Sequence, residues 1–197
     1  MNLIKRFMRK YLGKDPIFEE RQKYVRKYMP DLFSGKYKSV LYVGANPTRQ
    51  QFLKDFEESG YTRIVIIEAF HENVQFLKEK MGLESKNGFN VIEGDVRNIE
   101  NLQIEDFDVV FFWHGIEHLP EKDIEPTLKK LESITKHLIV IGTPWGNYPQ
   151  HDKYGNPYEI HQTTIYPHII EQYGYKIETL GKKDEYGSNI TAWKYLS

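Results

Sequence analysis

The chain has 197 residues, 40% of them apolar and 14% aromatic, which is enough to bury one substantial core and too little for a fused assembly of domains. It has no cysteine, so disulfides, thiolate metal sites and a thiol nucleophile are excluded, and a net charge of −1 argues against a general nucleic-acid grip. No apolar run approaches the roughly 20 residues of a membrane-spanning helix, and the N-terminus lacks the apolar core of a secretory signal, so a cytoplasmic protein is expected.

The charge is unevenly spread. Residues 1–30 hold nine Lys/Arg against three Asp/Glu, which leaves the rest of the chain at −7. Leu3, Ile4, Phe7, Met8, Tyr11 and Leu12 recur at helical spacing, with Lys5, Arg6, Arg9, Lys10 and Lys14 on the opposite face. Such a basic amphipathic helix has two readings: its apolar face covers the core, or residues 1–14 make a peripheral contact with an anionic membrane surface. Residues 1–37 are therefore set apart as an N-terminal helical segment, and 38–197 as the main domain.

From Lys38 onward strand and helix patterns alternate. Lys38–Val43 reads as a strand, then a turn with Gly44 and Pro47 leads to a polar helix near Arg49–Ser59. Arg63–Ile67 is a second strand ending at Glu68, and a helix near Glu72–Met81 is closed by Gly82. A short strand at Asn90–Ile92 ends in EGDV, a fourth spans Asp108–Phe112, a helix covers Ile124–Thr135, and His137–Ile141 is a fifth strand ending in GTP. This alternation predicts βαβ units and a mostly parallel sheet. Lys176–Leu180 and Asn189–Tyr195, joined by a charged loop with glycine, read as a closing hairpin.

Chemistry concentrates where strands end. In open α/β sheets the carboxyl edge is where ligands bind, because strand ends and helix starts leave a crevice with exposed backbone donors. Gly44 allows close backbone approach, Glu68 stands where nucleotide-binding folds place a ribose-binding carboxylate, Asp95 with Val96 suits an adenine ring, and Trp113 or His114 suits its flank. Each position alone is weak, since acidic residues at strand ends are commonly caps; four in order predict an adenosine site.

Strands ending VGAN, VIIEAF, VIEGDV and FDVVFFWHGIEHL resemble the Class I, Rossmann-like S-adenosylmethionine-dependent methyltransferases over 39–197. The resemblance implies a seven-stranded, mostly parallel, doubly wound sheet in the order 3-2-1-4-5-7-6, with the last strand antiparallel and helices on both faces. It implies S-adenosylmethionine as cofactor, a small-molecule acceptor, and Gly44, Glu68, Asp95, Val96 and Trp113 as cofactor contacts. One motif departs from the family: Tyr42 stands at its acidic position, and the glycine-rich turn is Gly44-Ala45-Asn46-Pro47-Thr48. Asn46 is assigned to replace the second glycine because asparagine tolerates left-handed backbone angles.

His114-Gly115-Ile116-Glu117-His118 matches a metallopeptidase pattern that needs a continuous helix, whereas here the string leaves a strand, contains glycine and runs into Pro120. His118, His114 and His161 are instead candidate catalytic groups, because imidazole titrates near neutrality. A buried hydrogen-bonded pair is the competing reading of Glu117 and His118. The long polar segment 142–161 leaves the same edge and is expected to be a substrate lid, with Trp145, Tyr148, His151 and Tyr154 as acceptor contacts and Tyr158, Asp152, Asn156, Glu159 and His161 as further stacking and polar partners, against the alternative of an ordered loop packed on the sheet. His151, Asp152 and His161 fall short of a metal signature, and no metal is assigned. The expected activity is methyl transfer to a small molecule, preferably to oxygen. A methyltransferase-like binding protein without turnover is the rival, and a nicotinamide-dependent oxidoreductase is disfavoured by the missing G-x-G-x-x-G turn.

Overall fold

The computed structural model describes residues 16–45, 51–152 and 155–196. Its strands send alternate side chains into two separate cores. In β1 (Ser39–Val43) all five positions are buried, with Val40 and Tyr42 in one core and Leu41 and Val43 in the other. A strand that is apolar on both faces is stable only where both faces are covered. The same alternation runs through β2 (Arg63–Glu68), β3 (Phe89–Glu93), β4 (Phe107–Trp113) and β5 (Thr135–Thr143).

Helices supply the cover. On the first face lie α1 (Pro16–Tyr28), α2 (Gln51–Glu58) and α3 (His71–Gln75), the last continuing as a π-helical segment, Phe76–Lys80. They contribute Val25, Phe52, Phe56, Val74 and Leu77 to a core centred on an aromatic cluster, in which Tyr42 meets Phe111 edge-on at 5.2 Å and Phe111 stacks on Trp113 at 5.3 Å. Truncating Phe111 to alanine would cost roughly 3–5 kcal/mol, the usual range for a buried aromatic. On the second face α4 (Glu121–Ser133) and α5 (Pro167–Glu171) place Ile124, Leu128, Leu131 and Ile170 against Val110, Phe112, Ile139 and Ile141.

With β6 (Lys176–Leu180) and β7 (Asn189–Tyr195), the sheet has the order β3-β2-β1-β4-β5-β7-β6. β1 to β5 pair in parallel and β7 runs antiparallel to both β5 and β6, which is the expected topology. Strand order reverses between β1 and β4, so successive crossovers leave toward opposite faces and a crevice opens at the carboxyl ends there.

Most strands run one or two residues beyond their sequence-predicted ends. α4 starts at Glu121 rather than Ile124, because extended Pro120 precedes it and the carboxylates of Glu121 and Asp123 favour a helix N-terminus. α5, five residues opened by Pro167, is too short to leave a periodic signal. Within the segment before residue 38, Val25, Met29 and Leu32 are fully buried in the first core. The amphipathic stretch 1–14 lies outside the described residues. Among those described, no helix is long and apolar enough to cross a membrane.

Candidate active site

At the carboxyl end of β1, Gly44 takes φ +75°, a left-handed angle that an L side chain resists. Its N–H donates to Ile67 O at 2.9 Å, and a Cβ there would meet nothing within 4 Å, so the chain turns with its open side toward the crevice. Tyr42, at the acidic position of the family pattern, points the other way into the aromatic core. Asn46 lies outside the described residues.

Glu68 closes β2 and is 6% exposed. Its Oε1 accepts from Phe70 N–H at 3.0 Å and from Asn73 Nδ2 at 3.3 Å. Burial outweighs these donors and pushes the carboxyl up to about 7, so at neutral pH the group is poised to gain from further donors such as vicinal hydroxyls. After β3, Asp95 caps the 3₁₀ segment Val96–Leu102 by accepting from Arg97 N–H at 2.9 Å, and it holds the Arg97 guanidinium as well. Burial would raise this carboxyl, but Arg97 outweighs it and keeps Asp95 below its ordinary value. Gly44, Glu68, Asp95 and Val96 all line one crevice, together with Val43, Ile67 and Phe112. Its cavity volume is about 100 Å³.

Trp113 does not flank this crevice. Its side chain is fully buried in the first core against Phe52 and Phe111, because alternation along β4 gives the crevice side to Phe112 and to the turn beyond.

That turn begins at His114, whose φ of +54° breaks the strand, and the 3₁₀ turn Ile116–His118 follows. The helix a metallopeptidase needs is absent here. Arg21 Nη1 lies 2.9 Å from His114 Nε2; a guanidinium only donates, so Nε2 accepts and the His114 proton sits on Nδ1, directed at Glu117 Oε1 3.2 Å away. His114 therefore orients Glu117, and its lone pair is not available for a base role. Thr143 Oγ1, at the end of β5, donates to Glu117 Oε2 at 3.0 Å. Glu117 is 2% exposed, so these donors serve a carboxylate cut off from water.

His118 donates from Nδ1 to Ile160 O at 3.1 Å and His161 from Nδ1 to Tyr148 O at 2.5 Å. Each imidazole thereby turns Nε2 toward Glu117, the two Nε2 atoms lying 3.9 and 4.0 Å from its Oε1. Glu117 and His118 are thus not hydrogen-bonded to each other as the pair reading expects; each has other partners, and His161 from the long segment stands at a similar distance from Glu117.

The loop is ordered differently from the expected lid. Trp145 packs on the second core, Tyr148 stands beside His161 and Tyr186, His151 and Asp152 are exposed, and Tyr154 lies outside the described residues. Of the segment's expected contacts, Asn156, Tyr158 and Glu159 do border the crevice, with Gln162 beyond them, alongside His114, Gly115, His118 and Leu119. Sequence reasoning also passed over Arg97, signalled only by its place two residues after a capping aspartate, and Arg21 and Thr143, whose roles exist only after folding.

Residues 42–138 match the family model Methyltransf_11, a methyltransferase domain. No curated protein sequence matches the chain. Among solved structures, the methyltransferase domain of bacterial CtHen1-CN is similar with a TM-score of 0.63 and 18% identity, over 91% of this chain and 100% of that one. A SAM-dependent methyltransferase from Archaeoglobus fulgidus gives 0.61 and 22%, over 98% and 100%. Magnesium protoporphyrin IX methyltransferase from Synechocystis PCC 6803, with bound SAH, gives 0.63 and 10%, over 100% and 89%. Sheet order, strand-end crevice and the methyltransferase-domain match over residues 42–138 agree: the chain has the Class I, Rossmann-like fold of S-adenosylmethionine-dependent methyltransferases.

Proposed function

We propose that this enzyme transfers a methyl group to an oxygen of a small-molecule acceptor. The adenosine end of S-adenosylmethionine lies along the β1–β3 edge, and the acceptor sits at the turn after β4. The observation that carries this reading is the continuity of one crevice from Gly44, Glu68 and Asp95 to His118 and Gln162. The residues fit the cofactor: a buried carboxylate with raised affinity for donors lies at the ribose position, and Gly44 leaves open space where a side chain would intrude.

When bound, the cofactor supplies a methyl group already activated on a sulfonium, so positioning carries most of the catalysis. Glu68 would accept from the ribose hydroxyls, and Asp95 and Val96 would hold the adenine. Tyr158, Glu159 and Gln162 line the crevice near the turn after β4 and support a small acceptor. His118 Nε2 is the atom placed to take the acceptor's hydroxyl proton, because its Nδ1 is committed to Ile160 O and its ring lines the crevice. The Tyr148 carbonyl fixes the His161 ring beside that of His118.

The buried Tyr42 leaves no carboxylate at the end of β1, and this one feature favours the alternative of a binding protein without turnover. Incubation with methyl-labelled S-adenosylmethionine and a panel of hydroxylated small molecules, RNA and protein separates the readings. Label in an O-methylated small molecule is the expected result. Label in RNA or protein overturns the acceptor class, and tight binding without transfer to any acceptor selects the alternative.

A further inference from the structure

We propose that Glu117, His118 and His161 form a binding site for one divalent first-row transition-metal ion at the acceptor end of the crevice. Their ligand atoms, one carboxylate oxygen and two imidazole nitrogens, lie within 4.8 Å of one another. Two histidines and one carboxylate are the donor set of three-ligand metal centres that keep a further position for water or substrate.

The surroundings of the three residues match what an ion requires. A metal-binding imidazole donates its other ring N–H to a carbonyl or carboxylate, which fixes the tautomer and turns the lone pair toward the ion. His118 does so to Ile160 O and His161 to Tyr148 O. The carboxylate ligand is itself held, with Thr143 on Oε2 and His114 on Oε1. Arg21, on the far nitrogen of His114, keeps that histidine an orienting donor and out of the ligand set.

Electrostatics points the same way. Two imidazole nitrogens and a carboxylate oxygen converge in a pocket where Glu117 is 2% exposed and the His118 and His161 side chains are 12% and 8% exposed. A cation held among them would interact with the donors at reduced screening by water. Metal–ligand bonds of about 2.0–2.2 Å put neighbouring donors about 3.3–3.6 Å apart, so each imidazole closes on Oε1 from 3.9 or 4.0 Å by about half an ångström. The backbone around them is already clamped: Gln162 N and Thr163 N both donate to Glu117 O, at 2.9 and 3.1 Å, and Thr163 Oγ1 donates to Leu119 O at 2.6 Å.

His118 borders the crevice, so the ion's open position would face the acceptor. An acceptor oxygen bound there would lose its proton to water through the open crevice, its electron pair stabilised by the cation, in place of transfer to His118 Nε2. That catalytic part rests on the proposed methyl transfer to oxygen; binding of the ion does not.

The test uses tag-free, chelator-treated protein titrated with Zn²⁺ by calorimetry and with Co²⁺ by visible absorption, with Mg²⁺ as the hard-cation control. One Zn²⁺ per chain, ligand-field bands from Co²⁺ and no comparable Mg²⁺ binding are expected. His118→Ala and His161→Ala should each weaken Zn²⁺ binding by more than about 100-fold, beyond what outer-shell changes produce, and Glu117→Gln should do so with little change of shape. His151→Ala, on the exposed loop, should bind as the wild type does. S-adenosylhomocysteine binding, measured on every variant, reports whether the fold survives. Absence of stoichiometric Zn²⁺ binding overturns the site, as does binding that persists in both histidine variants while S-adenosylhomocysteine still binds. Zn²⁺ binding without S-adenosylhomocysteine binding supports the metal site and counts against the cofactor assignment alone.

Discussion

The two ends of the crevice are built by different means. At the β1–β3 end each group is fixed by near neighbours: Glu68 by Phe70 and Asn73, two and five residues on, and Asp95 by Arg97, two residues on. At the β4–β5 end the partners come from far away, with Thr143 reaching Glu117 across 26 residues, Ile160 reaching His118 across 42, and Arg21 reaching His114 across 93. The first end is a property of strand termini. The second exists only once sheet order has brought the turn, the loop and α1 together.

Glycines sharpen that contrast. A Cβ on Gly142 would drive into the Trp113 ring, whereas one on Gly44 would enter open space. Gly142→Ala should therefore cost roughly 3 kcal/mol through overpacking, lowering the thermal midpoint by about 6–12 °C for a chain of this size. An unchanged midpoint would break the picture of an acceptor end packed hard against the core. Gly44→Ala should cost only about 1–2 kcal/mol of backbone strain, and its main effect should be on cofactor affinity.

Glu68 offers the next largest effect, and one of opposite sign for stability and binding. Its folded pKa of about 7 lies above the ordinary 4.5, so the folded state holds this proton more tightly than the unfolded state. Stability from this group is complete below about pH 4.5 and declines as pH rises through 7, by up to about 3 kcal/mol. Glu68→Gln should thus stabilise the free protein at pH 8 and leave it nearly unchanged at pH 4, as measured by denaturant unfolding. Hydroxyl donors favour the ionised carboxylate, so S-adenosylhomocysteine affinity should weaken about tenfold from pH 8 to pH 6, a dependence that Glu68→Gln should abolish. A pH-independent affinity would break the assignment of this end to the ribose.

What could be read from the amino acids follows the same division. Unbroken apolar runs such as Val109–Trp113 require cover on both faces, which makes the sheet legible, and strand-end residues Gly44, Glu68, Asp95 and Val96 reach the crevice because their position depends on local turns. Trp113 was misplaced because period-two alternation decides its face, and one residue separates the core from the crevice. Within 142–161 composition marks a loop without saying which aromatics face inward, so Trp145 was assigned to the acceptor and packs on the core instead. His114, His118 and His161 were all recognisable as chemical groups. Their separate roles follow from tautomers that Arg21, Ile160 and Tyr148 impose.

The central claim is that the strand-end carboxylates hold S-adenosylmethionine. Calorimetry with S-adenosylhomocysteine and with NAD, on the wild type and on Glu68→Ala and Asp95→Ala, tests it most directly. Saturable binding of S-adenosylhomocysteine, no comparable binding of NAD, and a loss of about 10–100-fold in each variant are expected, as when a charged hydrogen-bond acceptor is removed. Wild-type affinity in both variants, or tighter binding of NAD, would contradict it.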